Sequence, residues 1–134
     1  MVSINLYRRT VAKDLPAGCK DKPIMIGEFH FGAMDRGHFH TGLCAAPSQA
    51  ERAALYKEYV RSALAHPRCV GTHWFQWRDQ PLTGRGDGEN YPVGFVTLTD
   101  RPYPELTAAA CEVGESLYVE RYGTLDTAKG RGTQ

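Results

Sequence analysis

The chain carries almost no net charge, +1 over 134 residues. That balance gives no electrostatic case for a nucleic acid or a membrane surface as partner. No apolar run approaches the roughly 20 residues that span a bilayer, and the first residues lack the charged-then-apolar pattern of a signal peptide. The four cysteines, Cys19, Cys44, Cys69 and Cys111, form no Cys-x-x-Cys pair, which argues against a zinc centre. Cys69 and Cys111 are expected as buried free thiols, and no cofactor is expected. No internal repeat is present beyond an alternation of strand and helix. What remains, 42% hydrophobic and 23% charged residues, is the composition of one globular α/β domain with its own core.

The most informative stretch is Pro23–Gly32, Pro-Ile-Met-Ile-Gly-Glu-Phe-His-Phe-Gly. Three apolar residues after a proline predict a strand covered on both faces, as in parallel sheets. Its carboxyl end holds a single carboxylate, Glu28, and ligands of parallel α/β folds bind at that end. Upstream, Val2–Tyr7 reads as a strand with Ser3, Asn5 and Tyr7 on one face. A strand so close to the first residue suggests a piece of something longer. Val11–Ala17 reads as a helical turn or two stopped by Gly18.

Downstream, Gly32–Pro47 is a long loop rich in polar groups, among them Asp35, Arg36, His38 and His40, and loops of that length are often functional. Ser48 and Glu51 form a capping box after Pro47. They open a helix to His66 with one stripe of Tyr56, Tyr59, Val60, Ala63 and Leu64 at helical period. Cys69–Trp77 is rich in β-formers and reads as the next strand, so Glu28 strand, helix and this strand make a parallel βαβ crossover. Both strand ends then share one rim, with Glu28 near Trp74, Gln76 and Trp77. Arg78–Asn90 is a second long loop, and Val93–Thr99 is a possible short strand. Pro102 and Pro104 introduce a last helix buried through Leu106, Ala109, Ala110, Val113 and Leu117. Residues 123–134 read as a flexible tail.

A strand-end glutamate with indoles, amides, histidines and the loop carboxylates Asp35, Asp79, Asp87 and Glu89 is the vocabulary of a sugar site. Indole faces stack on pyranose rings, and a fixed carboxylate can attack an anomeric carbon. Trp74 and Trp77 lie three positions apart, so on a strand one faces the site and the other packs under the helices. A different reading makes His30, His38 and His40 with Glu28 a metal site, although the spacing matches no zinc signature.

Four contiguous stretches go further: IGEFHFG at Ile26–Gly32, DRGHFHTGL at Asp35–Leu43, VGTHWFQWRDQP at Val70–Pro81 and GRGDGENYPVGFV at Gly84–Val96. Through them the chain resembles the C-terminal part of the glycoside hydrolase family 50 β-agarases, from its first strand to about Tyr122. The resemblance implies a partial TIM barrel of about three C-terminal βα units, residues 1–122, with Val2–Tyr7, the Glu28 strand and Cys69–Trp77 as strands six to eight. It implies a retaining glycosidase with Glu28 as nucleophile, acting on a galactose-containing oligo- or polysaccharide. His30, Trp74, Gln76, Asp79, Glu89 and Asn90 match substrate-facing positions. Asn5, Tyr7, His38 and His40 complete the expected sugar contacts. The chain departs from the family pattern in having no Asn-Glu pair for the acid/base and no strands one to five. A non-catalytic carbohydrate-binding remnant is therefore the alternative.

Three βα units leave two open sheet edges. The expectation is a homo-oligomer that closes the barrel, burying an apolar interior patch of Ile4 or Leu6 with Ile24 or Ile26, and with Val93–Thr99 as a fourth strand.

Overall fold

The structure, a computed structural model, describes residues 1–11 and 21–123. The helical turn expected at Val11–Ala17 falls outside them except for Val11, and so does the expected tail beyond Gly123. Three parallel strands, β1 (Val2–Asn5), β2 (Ile24–Phe29) and β3 (Cys69–Trp74), form one sheet in the order β1-β2-β3. Helix α1 (Gln49–Ala65) connects β2 to β3, and α2 (Pro104–Tyr122) packs against α1. None of the described helices is long and apolar enough to cross a membrane.

Helix α1 begins where the capping residues predicted. The Ser48 hydroxyl accepts the Glu51 N–H at 3.3 Å, satisfying one of the donors a helix start leaves free. Asp35, from the loop after β2, accepts the Gln49 N–H at 3.0 Å and places a negative charge at the helix's positive end. At the other end, Arg121 of α2 donates to the carbonyls of Leu64, His66 and Pro67 and ties the two helices together.

One face of the sheet is covered by α1. Ile24, Ile26 and Phe29 are buried there with Leu55, Tyr59 and Ala63, and Phe29 stacks on Tyr59 at 4.1 Å between ring centroids. The other face carries Ser3, Asn5, Met25, Gly27 and Gly71; a Cβ on Gly27 would meet Ser3 Oγ and Asn5 Oδ1, each at 2.8 Å. This corrects the expected interior patch. Ile24 and Ile26 are fully buried under α1, and Ile4 packs against the same core.

Strict alternation would put Glu28 on the helix-covered face with Ile24 and Ile26. The register of β1 against β2 shifts between Ile4 and Asn5, so that Asn5 pairs with Glu28, and the next buried residue of β2 is Phe29. An irregularity of this kind re-aims a side chain at the end of a strand. It takes Glu28 out from under α1.

Two further expectations differ. Val93–Thr99 is not a strand: Val96 makes only isolated bridges to Arg78 and Pro102, because this segment folds back over the loop rather than along the sheet. Cys111 is exposed, since the buried face of α2 runs through Leu106, Ala109 and Val113, whereas Cys69 is buried as expected.

Candidate functional site

Glu28 emerges beside the end of β1. Leu6 N–H donates to the Glu28 carbonyl at 3.0 Å, and the Tyr7 hydroxyl donates to Glu28 Oε2 at 2.5 Å. Burial, then the hydrogen bond to Glu28 and its charge, push the Tyr7 phenol far above its usual range. Tyr7 is therefore a permanent donor at any ordinary pH, and it fixes one carboxylate oxygen.

The Tyr7 ring lies 4.8 Å from that of His30, which is buried. His30 Nε2 accepts the Leu43 N–H at 2.9 Å, so the neutral ring carries its proton on Nδ1. Burial, reinforced by the charge of Arg52, pushes His30 down to about 4. The unfolded chain protonates this histidine near its ordinary value of about 6.5, so stability is full above that pH and falls as pH drops towards about 4. The wild type is expected to lose on the order of 3 kcal/mol more than His30→Gln across that window. Urea denaturation of both proteins at several pH values measures it, and parallel curves would refute it. The loop that reaches His30 passes through Gly42 at φ +80°, where a Cβ would lie 2.8 Å from His30 Nε2. Only glycine meets both demands.

Beyond His30 the site continues onto the loop after β3. Phe75 lies 6.2 Å from His30, and the Arg85 guanidinium stands 5.5 Å over the Phe75 ring. Arg85 pairs with Asp87 and, at 2.9 Å, with Glu89; Glu89 also accepts from the Gln80 amide at 2.8 Å. The charge of Glu28 reaches Arg85 and that of Glu89 reaches Tyr7. Contact by contact, Glu28, Tyr7, His30, Phe75, Arg85 and Glu89 form one cluster. His40 stacks on Tyr91 at 5.1 Å, with Tyr91 6.1 Å from His30, at the flank of that cluster.

The structure does not bring every expected contact residue to this cluster. Asp79 is buried: its carboxylate accepts the Gly94 N–H at 2.8 Å and the Tyr103 hydroxyl at 2.6 Å. His38 lies beside it, Nε2 3.4 Å from Asp79 Oδ2. Both serve a buried network that pins the loops and present no free polar group. Trp74 also departs from expectation. Its indole donates to the Val93 carbonyl at 2.7 Å, and it packs among Phe29, Tyr56 and Phe95 with Arg52 5.4 Å from its ring. It is paired in register with Phe29, on the helix-covered side. Trp77 is exposed and stacks on Phe95. Gln76 and Asn90 donate to the Arg78 and Leu82 carbonyls, and Asn5 is exposed with its amide oxygen beside Gly27.

Sequence reasoning missed Arg52, Phe75 and Arg85. Arg52 is fully buried in α1, donating to the Phe31 carbonyl, Gln49 Oε1 and the Gly94 carbonyl at 2.7, 3.0 and 2.7 Å. Burial pushes its guanidinium down to about 10 against the opposing charge of Asp79, so it stays charged at neutral pH. Nothing in a helical sequence distinguishes such an arginine from a surface one. Phe75 was legible in principle, as the neighbour of Trp74 and so on the opposite face. The metal reading finds no support: among the described residues no three His, Cys, Asp or Glu side chains are placed to hold an ion. His30 Nε2 and His40 Nδ1 are engaged by backbone N–H groups.

Comparison with known proteins finds close relatives. The chain is 52% identical to β-agarase B of Vibrio sp. (strain JT0107) over 76% of its own length and 11% of the relative. It is 45% identical to β-agarase A of the same strain, over 96% of the chain and 14% of the relative. Its structure superposes on that of an exo-β-agarase with a TM-score of 0.87 at 52% identity, covering 92% of this chain and 17% of the other. The chain thus spans less than a fifth of these relatives. No protein-family model matches it.

Proposed function

Because this chain belongs to the glycoside hydrolase family 50 β-agarases, we propose that it takes a β-galactosidic sugar against Glu28 and that Glu28 is the nucleophile of a retaining glycosidase. The observation that carries this reading is the carboxylate held at a strand end by the Tyr7 hydroxyl at 2.5 Å. Glu28 attacks the anomeric carbon, the bond to the leaving oxygen breaks, and a glycosyl ester forms; water then releases the sugar with retained configuration. Tyr7 holds one carboxylate oxygen and orients the other.

A natural leaving group also needs a proton from a second carboxyl about 5–5.5 Å from the nucleophile. Glu89, the nearby carboxylate, is occupied by Arg85 and Gln80. The test therefore uses a leaving group that needs no acid, 2,4-dinitrophenyl 2-deoxy-2-fluoro-β-galactoside. Its dinitrophenolate departs as an anion and the fluorosugar stalls as the ester. The expected result is one fluorogalactosyl group on the peptide carrying Glu28, seen by mass spectrometry. Saturable galactoside binding without any label would overturn the nucleophile and leave a carbohydrate-binding remnant.

Residues 1–122 form, in this reading, the last three βα units of a partial barrel closed by a second copy. Supporting it are the unpaired edges of β1 and β3 among the described residues. A groove of about 470 Å³ also runs between β3, α1 and α2, where Val70, Tyr118 and Tyr122 are exposed. Light scattering at micromolar concentration should give twice the single-chain mass of 14.9 kDa; a folded monomer would refute closure by self-association.

A further inference from the structure

We propose that Arg85 is a specificity-determining residue that donates from Nη1 to an oxygen of a neutral galactosyl unit seated between Phe75 and Glu28. The inference rests on the sugar-binding part of the proposed function and not on Glu28 acting as nucleophile. Arg85 donates from Nε and Nη2 to Asp87 and is ion-paired through Nη2 with Glu89 at 2.9 Å, which among the described residues leaves the Nη1 pair unspent in a guanidinium of five donors. The group stands over the Phe75 ring, at the point where an aromatic platform and the field of Glu28 meet.

The turn that presents it is closed by its own hydrogen bonds. Gly84 N–H donates to the Pro81 carbonyl at 2.8 Å, Arg85 N–H to Glu89 at 2.8 Å, and Gly88 N–H to Arg85 at 2.9 Å. Gly84 and Gly88 sit at φ +89° and +86°, the backbone that lets so tight a turn form. A fork anchored on two carboxylates loses little freedom when it binds, so its remaining N–H groups are pre-organised for an acceptor.

Charge decides which acceptor. Asp87 and Glu89 pair with the guanidinium and Glu28 belongs to the same cluster, so a carboxylated or sulfated sugar meets net repulsion here. A hydroxyl or ether oxygen of an uncharged galactoside does not.

Titration calorimetry with an agar-derived neutral tetrasaccharide tests this, using wild type, Arg85→Lys and Glu28→Gln. Arg85→Lys keeps the charge and loses the planar fork, and should weaken binding about tenfold or more with the melting temperature unchanged. Glu28→Gln should still bind, and fluorosugar labelling reports separately on the nucleophile. Equal affinity of wild type and Arg85→Lys overturns the assignment. So does absence of binding by the wild type, or tighter binding of a galacturonic acid tetrasaccharide than of the neutral one. If Arg85→Lys melts early, chemical-shift perturbation of the wild-type Arg85 side-chain N–H signals by the tetrasaccharide decides instead. A shift upholds the contact, and none refutes it.

Discussion

Glu28→Gln is expected to abolish fluorogalactosyl labelling while the thermal unfolding midpoint stays near that of the wild type. The amide is almost isosteric with the carboxylate, and its oxygen still accepts from Tyr7, so the contact seen at 2.5 Å has a neutral counterpart. What it cannot do is add to an anomeric carbon and leave as a stable ester. Loss of a nucleophile removes a step rather than slowing it, so the labelling rate should fall by at least about 1,000-fold, some 4 kcal/mol of barrier. Mass spectrometry after a day with the inactivator measures it. Label at another carboxylate of an otherwise folded Glu28→Gln protein would move the nucleophile elsewhere.

The largest effect on stability is expected at Arg52. Arg52→Met removes three buried hydrogen bonds, strands the carbonyls of Phe31 and Gly94, and leaves Asp79 without the positive charge that faces it. Breaking one side of a buried charge arrangement costs about 3–5 kcal/mol, against a total of about 5–15 kcal/mol for a domain. The variant should therefore lie close to its unfolding threshold. Urea denaturation measures the loss. Asp79→Asn should cost clearly less in the Arg52→Met background than alone, because an unpaired buried carboxylate is then no longer being protected. A loss under about 1 kcal/mol would show that water, rather than this network, supports the loop.

The sequence by itself determined the main strands and helices and the family, though not the fate of Val93–Thr99. Ser48 and Glu51 announced the start of α1, the β-formers of Cys69–Trp77 announced β3, which ends at Trp74, and four contiguous stretches placed the chain among the β-agarases. All of these are local signals: capping, periodicity and motif identity act within a few residues along the chain. Tertiary structure alone decided how the rim is built. The register shift at Asn5 and Glu28 arises from pairing two strands far apart in sequence, and it turns Glu28 away from Ile24 and Ile26. Pairing Trp74 with Phe29 put the indole under α1 and turned Phe75 towards His30. The partners of Arg52 include a carbonyl 42 residues away, and Asp79 looks like any loop carboxylate until Tyr103 and Gly94 close over it. Burial and hydrogen bonding across such separations are properties of packing, and no local pattern encodes them.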